Sequence, residues 1–388
     1  MLCDSQGVLE ILDLSNNDLV GRIPSELGEL QETIVLLGGN SLTPPAPLGV
    51  CKIATVKDDQ DLCPPEIKML EEFYHSFKGP EWINNRYWLD ESKSYCLWYG
   101  VVCDKKNVSI TKLELGNNGL SGELGTRIME IMSELTQLEG LDLNGNDING
   151  TIPTEIATLS NLVELDLSHQ TQGLTGEIPD GVSKLVHLSL LCLAGNKLDQ
   201  SIPSAIGKLE YLKVLNLSSN VLIQSIPTQL RRLQDTIEVL DLSNNKLEGR
   251  IPSELGNLQD TSVHLSGNDD LSDPAPLTLC LMPEFDLIHD TRFCPPERNI
   301  LREIYVSAKG QEWTNSGRWL DEYESHCKWY GVECNKKQNV VKLELHSNGL
   351  SGTLNPNIAS LSLLEVLDLS DNDIKGSIPT EIGLLSNL

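Results

Sequence analysis

The chain has 388 residues, with 29 Lys and Arg against 56 Asp and Glu and a formal net charge of −27. Nucleic acids and anionic lipid surfaces are held through Lys and Arg, so this excess of carboxylates excludes both as partners. An apolar fraction of 39% suffices for a packed core, and there is no run of about 18 apolar residues as a membrane-spanning helix requires. Met1-Leu2-Cys3-Asp4-Ser5 has neither a basic start nor an apolar run and does not read as a signal peptide.

Residues 1–50 read as the last turns of a repeat array. Leu9, Leu12, Leu14, Asn17 and Leu19 space out a pattern that returns as Leu138-x-x-Leu141-x-Leu143-x-x-Asn146-x-Ile148-x-Gly150-x-Ile152-Pro153. It restarts at Leu162, Leu188, Leu212 and Ile237, at steps of 24, 26, 24 and 25 residues, with weaker copies near Ile110 and at Val263 and two more from Val340 and Leu364. Ile-Pro occurs seven times in register, at Ile23, Ile152, Ile178, Ile202, Ile226, Ile251 and Ile378. This is the wording of a leucine-rich repeat solenoid, and it resembles the plant-type subclass marked by Leu-x-Gly-x-Ile-Pro. The resemblance implies an α/β repeat fold, a curved right-handed solenoid with a parallel concave β-sheet. Period-two alternation points both leucines of Leu-x-Leu inward and the residue between them to solvent. The asparagine column (Asn17, Asn118, Asn146, Asn196, Asn220, Asn245, Asn348, Asn372) falls where the chain leaves the strand, where a buried amide can bond backbone groups of neighbouring turns.

Residues 51–107 form a junction and a different kind of segment. Cys63-Pro64-Pro65-Glu66 recurs as Cys294-Pro295-Pro296-Glu297, an offset of 231, and Gly79, Trp82, Trp88, Cys96, Trp98 and Cys103 return at the same offset. Ile67, Leu70, Phe73 and Phe77 make one helical apolar stripe. Cys96-Leu97-Trp98-Tyr99-Gly100-Val101-Val102-Cys103 is similar to the signature of the N-terminal cap of plant-type leucine-rich repeat ectodomains, although it lacks that family's common double Cys. The likeness implies that the segment is a helical, disulfide-bonded cap and that Cys96 pairs with Cys103 and Cys327 with Cys334. Cys51 and Cys63, then Cys280 and Cys294, bracket the two junctions, and we expect each bracket to pair; Cys63 with Cys96 is the rival. Cys3 and Cys192 are left over. Cystine-bearing caps imply a secreted or cell-surface setting.

Residues 108–280 read as a complete array of about seven turns, 281–338 as the second junction and cap, and 339–388 as the first turns of a following unit. The tandem layout suggests covalent continuation or end-to-end self-association into a fibre. The residue between the strand leucines is Glu114, Asp142, Asp166 or Asp241 in four turns of the array. On an open sheet such a column lacks the pocket that a glycosidase pair needs, and calcium would need six or more oxygens to converge there; no catalytic residue, metal or cofactor is expected, with calcium on the acidic face as the minority reading. One turn is longer: Ser168-His169-Gln170-Thr171-Gln172-Gly173 lacks the asparagine. Insertions in solenoids often map to binding faces, so His169, Gln170 and Gln172 join Glu114, Asp142, Asp166 and Asp241 as candidates on the concave face. The helical pattern at Arg127–Met132 reads as packing beside the cap. Sequons at Asn107, Asn149 and Asn216 are candidate glycosylation sites. The expected function is a non-enzymatic extracellular adhesive, structural or recognition array. The ligand-binding ectodomain of a receptor is the alternative, and an inhibitor of wall-degrading enzymes is third. The resemblance implies protein, peptide or glycan partners.

Overall fold

The computed structural model describes residues 2–3, 9–30, 33–43, 46–51, 66–90, 92–105, 109–258, 260–287, 290 and 292–388. Cys63 and Asn107 lie outside them. Two compact units are present, residues 1–223 with 235–245, and residues 224–234 with 246–388.

In the first unit the repeats lay down a parallel sheet. Its strands are β1 (Ile110–Glu114), β2 (Gly140–Asp142), β3 (Glu164–Asp166), β4 (Leu190–Cys192), β5 (Val214–Asn216) and β6 (Val239–Asp241). The register is in phase at every step: Leu165 pairs with Leu141 on one side and Leu191 on the other, and Asp166 with Asp142 and Cys192. The inward leucines, among them Leu113, Leu115, Leu141, Leu143, Leu165 and Leu167, are at most 1% exposed. Each leucine meets its counterparts above and below, so the core is mostly an interface between neighbouring turns.

The rest of the turn follows from the motif. Asn146 donates to the carbonyls of Leu115 and Leu143 and accepts from the backbone N–H groups of Asn118 and Leu120, all at 2.8–3.0 Å. Asn196, Asn220 and Asn245 repeat the scheme, each accepting one such N–H from the turn before and donating to a leucine carbonyl in each of the two turns. The glycine of Leu-x-Gly-x-Ile-Pro is needed where the chain turns left-handed: Gly150 has φ +95°, and a Cβ there would sit 2.5 Å from the carbonyl of Leu124. Proline then stands at the N-cap of a short 3-10 turn, extended at Pro153 and followed by Thr154–Thr158, where its missing N–H has no role.

The cap of this unit opens with α1 (Glu66–Ser76), whose apolar stripe Ile67, Leu70 and Phe73 is buried together with Phe77 just beyond it. Tyr74, Trp82, Trp88 and Trp98 form a chain of ring contacts with centroids 4.9–5.5 Å apart. Gly79 is obligatory, since a Cβ would lie 2.1 Å from the Tyr74 ring. The strand Val101–Cys103 pairs antiparallel with β1 and closes that edge of the sheet, and Asn118 carries its amide ladder into the cap by bonding both backbone groups of Asn84. The expected helix beside the cap is α2 (Thr126–Met132), tied back by Arg127 to Glu72 at 2.7 Å.

The second unit repeats the design. Its cap helix α3 (Pro296–Ser307) buries Leu301 and Ile304, and Val340–Glu344 pairs with Val332–Cys334 on one side and Val366–Asp368 on the other. Disulfides join Cys96 to Cys103, Cys280 to Cys294 and Cys327 to Cys334. Cys51 is disulfide-bonded as well. Cys96 is thus not available to Cys63.

Candidate functional site

Asparagine and leucine account for the inner face of the first sheet, leaving its open face free of core packing. Three columns run across the strands. The column between the leucines is Glu114, Asp142, Asp166, Cys192, Asn216 and Asp241, all at least partly exposed. Most of it is engaged locally. Asp166 Oδ1 accepts from the N–H and the hydroxyl of Ser168 at 2.9 and 2.6 Å, Asp241 does the same with Ser243 and Asn216 with Ser218, while Asp142 takes the N–H and amide of Asn144. The same bond recurs at Asp13 with Ser15 and at Asp368 with Ser370, where it holds each carboxyl below its ordinary range. Leu-Asp-Leu-Ser is therefore a strand-exit device, one carboxylate oxygen bracing the bend. Glu114, Asp142 and Asp166 do share one shallow depression of about 170 Å³ with Lys112 and Glu164; Asp241 lies outside it.

The long turn also departs from expectation. Gln170 is not on the ligand face. It is 3% exposed and occupies the asparagine's place, accepting from Ile148 N–H at 3.1 Å and donating to the carbonyl of Leu143 at 2.8 Å. The extra methylene of Gln reaches the carbonyls that Asn reaches elsewhere, so the ladder is unbroken. His169 takes the left-handed position (φ +56°) that Gly145 and Gly195 fill in adjacent turns. Gln172 bonds Asp147 and Asn149 at the side of the sheet, away from the acidic column. The two additional residues thus form a lateral bulge and do not gather the seven candidates into one pocket.

A second column sits one residue before each core leucine: Lys112, Gly140, Glu164, Leu190, Val214 and Val239. It changes character midway, from an ion pair between Lys112 and Glu164 at 2.8 Å to three half-buried aliphatic side chains. Beside it, along the edge where strands begin, a depression of about 530 Å³ spans four turns and is lined by Glu139, Val163, His187, Tyr211 and Lys213 among others. Tyr211 is 61% exposed there. Sequence reasoning missed this edge because it followed only the residue between the leucines; the signal was Tyr211 one position ahead of Leu212, where the other turns carry Gln137, Asn161 and His187.

Cys192 is the free thiol among the described residues, in register between Asp166 and Asn216. Burial, and secondarily the Asp166 charge, push it above the ordinary thiol range, which disfavours the reactive thiolate. The one group of three ligand-type side chains among the described residues, His326 with Cys327 and Cys334, has both sulfurs committed to a disulfide. Asn149 and Asn216, the described sequon residues, differ. Asn149 is half-buried on the lateral strand with its amide on Gln172 at 3.0 Å, whereas Asn216 stands on the open face.

Comparison with known proteins places this geometry. The family model Leucine Rich Repeat matches residues 8–30, 137–159, 211–233, 236–258 and 363–385, and Leucine rich repeat N-terminal domain matches 65–104 and 311–335. Phytosulfokine receptor 1 of Arabidopsis thaliana is 35% identical over 123 residues, 31% of this chain and 11% of that protein. Receptor-like protein 50 of the same plant is 32% identical over 152 residues, 35% of this chain and 16% of that one. The chain thus spans only a tenth to a sixth of the length of these relatives. Among solved structures, the Arabidopsis receptor kinase HAESA, in complex with the peptide hormone IDA and the co-receptor SERK1, aligns over 85% of this chain and 44% of its own with a TM-score of 0.51 and 25% identity.

Proposed function

The chain belongs to the leucine-rich repeat proteins of the plant type, and we propose that it serves as an extracellular, non-catalytic ligand-binding segment of a receptor-type ectodomain. The observation that carries this reading is the divided edge of the first sheet. Glu139 and Glu164 lie toward one end, while Tyr211, Leu190 and Val214 lie toward the other, beside a depression left open over four turns. An exposed tyrosine next to aliphatic side chains is the usual composition of a binding hot spot. A peptide or protein segment laid across the turns would set a basic side chain against Glu139 and an apolar one against Tyr211. Phytosulfokine receptor 1 and the hormone-bound HAESA ectodomain support this reading over a fibre-forming array or an enzyme inhibitor. The disulfides support an oxidising, extracellular location.

Panning the full chain against a random dodecapeptide display library tests the proposal. Binders are expected to pair Lys or Arg with an aromatic or aliphatic residue and to lose at least tenfold in affinity to Tyr211→Ala, while Asp241→Asn leaves them unchanged. Binders insensitive both to Tyr211→Ala and to a Glu139→Lys/Glu164→Lys double variant would place recognition elsewhere.

A further inference from the structure

The second unit holds a feature that peptide recognition on the first sheet does not use. Where its repeat tail meets its cap, a groove of about 660 Å³ is lined by Arg250, Arg292, Lys328 and Lys337, against two carboxylates, Asp273 and Glu324. In a chain whose carboxylates outnumber its cations nearly two to one, this groove has the opposite balance.

The cations are also held in a particular way. Arg250 lies over the ring of Tyr323 with its guanidinium carbon 5.3 Å from the centroid, and Arg292 over Phe293 at 4.2 Å. Tyr323 is fixed in turn, its hydroxyl donating to Ser253 Oγ at 2.9 Å and accepting from Ser253 N–H at 3.2 Å. A guanidinium stacked face-on keeps its in-plane N–H groups for another acceptor, whereas a salt bridge consumes them. Lys328 is engaged by Glu324 at 2.8 Å, and Arg292 approaches Asp290 only at 4.0 Å. Neither Arg250 nor Lys337 has a carboxylate within 4.0 Å among the described residues. The same two positions are cationic at the first junction, where the sequence has Arg22 and Lys106 in the equivalent places of tail and cap.

We propose that this junction groove is an oxyanion site that takes a phosphate or sulfate group carried by a ligand. Two guanidinium groups and a lysine suit an anion with three acceptor oxygens, a phosphate ester of charge near −2 or a sulfate ester of charge about −1, better than a single carboxylate. The site is independent of the sheet edge proposed for peptide recognition, and either can fail without the other.

Calorimetric titration of the full chain at low ionic strength tests it, with inorganic phosphate and inorganic sulfate as separate probes and acetate at matched ionic strength as the comparator. Saturable one-site binding of a dianion, at least tenfold tighter than acetate, is expected, and repeating the titration with phenyl phosphate and phenyl sulfate shows which ester the groove prefers. Arg250→Gln with Lys337→Gln should weaken it at least tenfold, while Arg127→Gln, a cation on the first unit, leaves it unchanged. Arg250 is exposed, and thermal unfolding of the double variant checks that the fold is kept. Absence of saturable binding, or a double variant within twofold of the parent chain, would overturn the assignment.

Discussion

Lys112 Nζ donates to Glu164 Oε2 at 2.8 Å across an intervening turn, and the path is open because the residue between them is Gly140. A Cβ on Gly140 would come within 3.0 Å of the lysine Cγ and Cδ. The glycine thus lets one cation neutralise a carboxylate two turns away. The hydrogen bond to Glu164 raises the Lys112 pKa above its ordinary value. A raised folded-state pKa on a lysine contributes stability below the unfolded value, about 10.4, which is lost as pH rises through the folded value. Gly140→Val should displace the lysine and remove this term. Because both groups are substantially exposed, the loss at neutral pH should stay below about 1 kcal/mol. Urea denaturation of the two proteins across pH 8–11.5 checks it: the parent chain should lose its small advantage at the alkaline end.

The amide ladder gives a sharper test. Asn146→Ala leaves the N–H groups of Asn118 and Leu120 and the carbonyl of Leu115 without that partner inside the core, while the Leu143 carbonyl keeps Gln170, an expected cost of about 3 kcal/mol. Gln170→Ala should cost less, about 1 to 2 kcal/mol, because the Ile148 N–H loses its acceptor while the Leu143 and Leu167 carbonyls keep Asn146 and Asn196. A Gln170→Ala variant with unchanged urea midpoint and weakened peptide binding would return that residue to the ligand face.

Cys192 should be slow to react. With its thiol pushed up first by burial and then by Asp166, the thiolate fraction at pH 7.5 falls below that of a free cysteine. Alkylation by iodoacetamide should be several-fold slower than for glutathione, and Asp166→Asn should recover only part of the difference, since burial remains. A rate equal to that of glutathione would contradict this.

The second cap carries a clamp that the first lacks. Arg298, 1% exposed, donates to the carbonyls of Ala275, Asp321 and Glu322, and Glu322 in turn accepts from Leu277 N–H. The first cap has Ile67 at the equivalent position. Arg298→Met keeps the volume but strands the buried carbonyl of Ala275 and releases the part-buried ones of Asp321 and Glu322, so about 2 kcal/mol of local stability should be lost. Hydrogen exchange should quicken in α3 and stay unchanged in α1.

Much of this architecture was legible in the sequence because its period is short and each position has one job. Leu-x-Leu, the asparagine column, Ile-Pro and the Trp-bearing cap signature all correspond to inward packing, amide ladder, 3-10 entry and ring cluster in the structure. What escaped is what two chemically different residues can do alike. Gln170 was read as a missing asparagine, yet amide chemistry and not residue identity is what the ladder requires. The acidic column was read as candidate ligands on the open face because the serine two residues on, although it recurs at Ser15, Ser168, Ser218, Ser243 and Ser370, was not read together with the side chain it bonds. The divided sheet edge was invisible for another reason. Its character arises only when residues 24–26 apart are stacked side by side, as Asn161, His187 and Tyr211 are.

The repeated amide bonds also bear on how such a chain can change over generations. Asn196 reaches back to the carbonyl of Leu167, and Asn220 to that of Leu193, in the same geometry. Excising residues 188–211 would bring Asn220 to the Leu167 carbonyl and Leu215 to Leu165, each a like-for-like exchange. Every seam between turns is interchangeable with the next, so whole turns can be gained or lost as single steps while the intervening states remain folded. The length of the array, and with it the span of the sheet edge, is open to selection independently of what each turn displays.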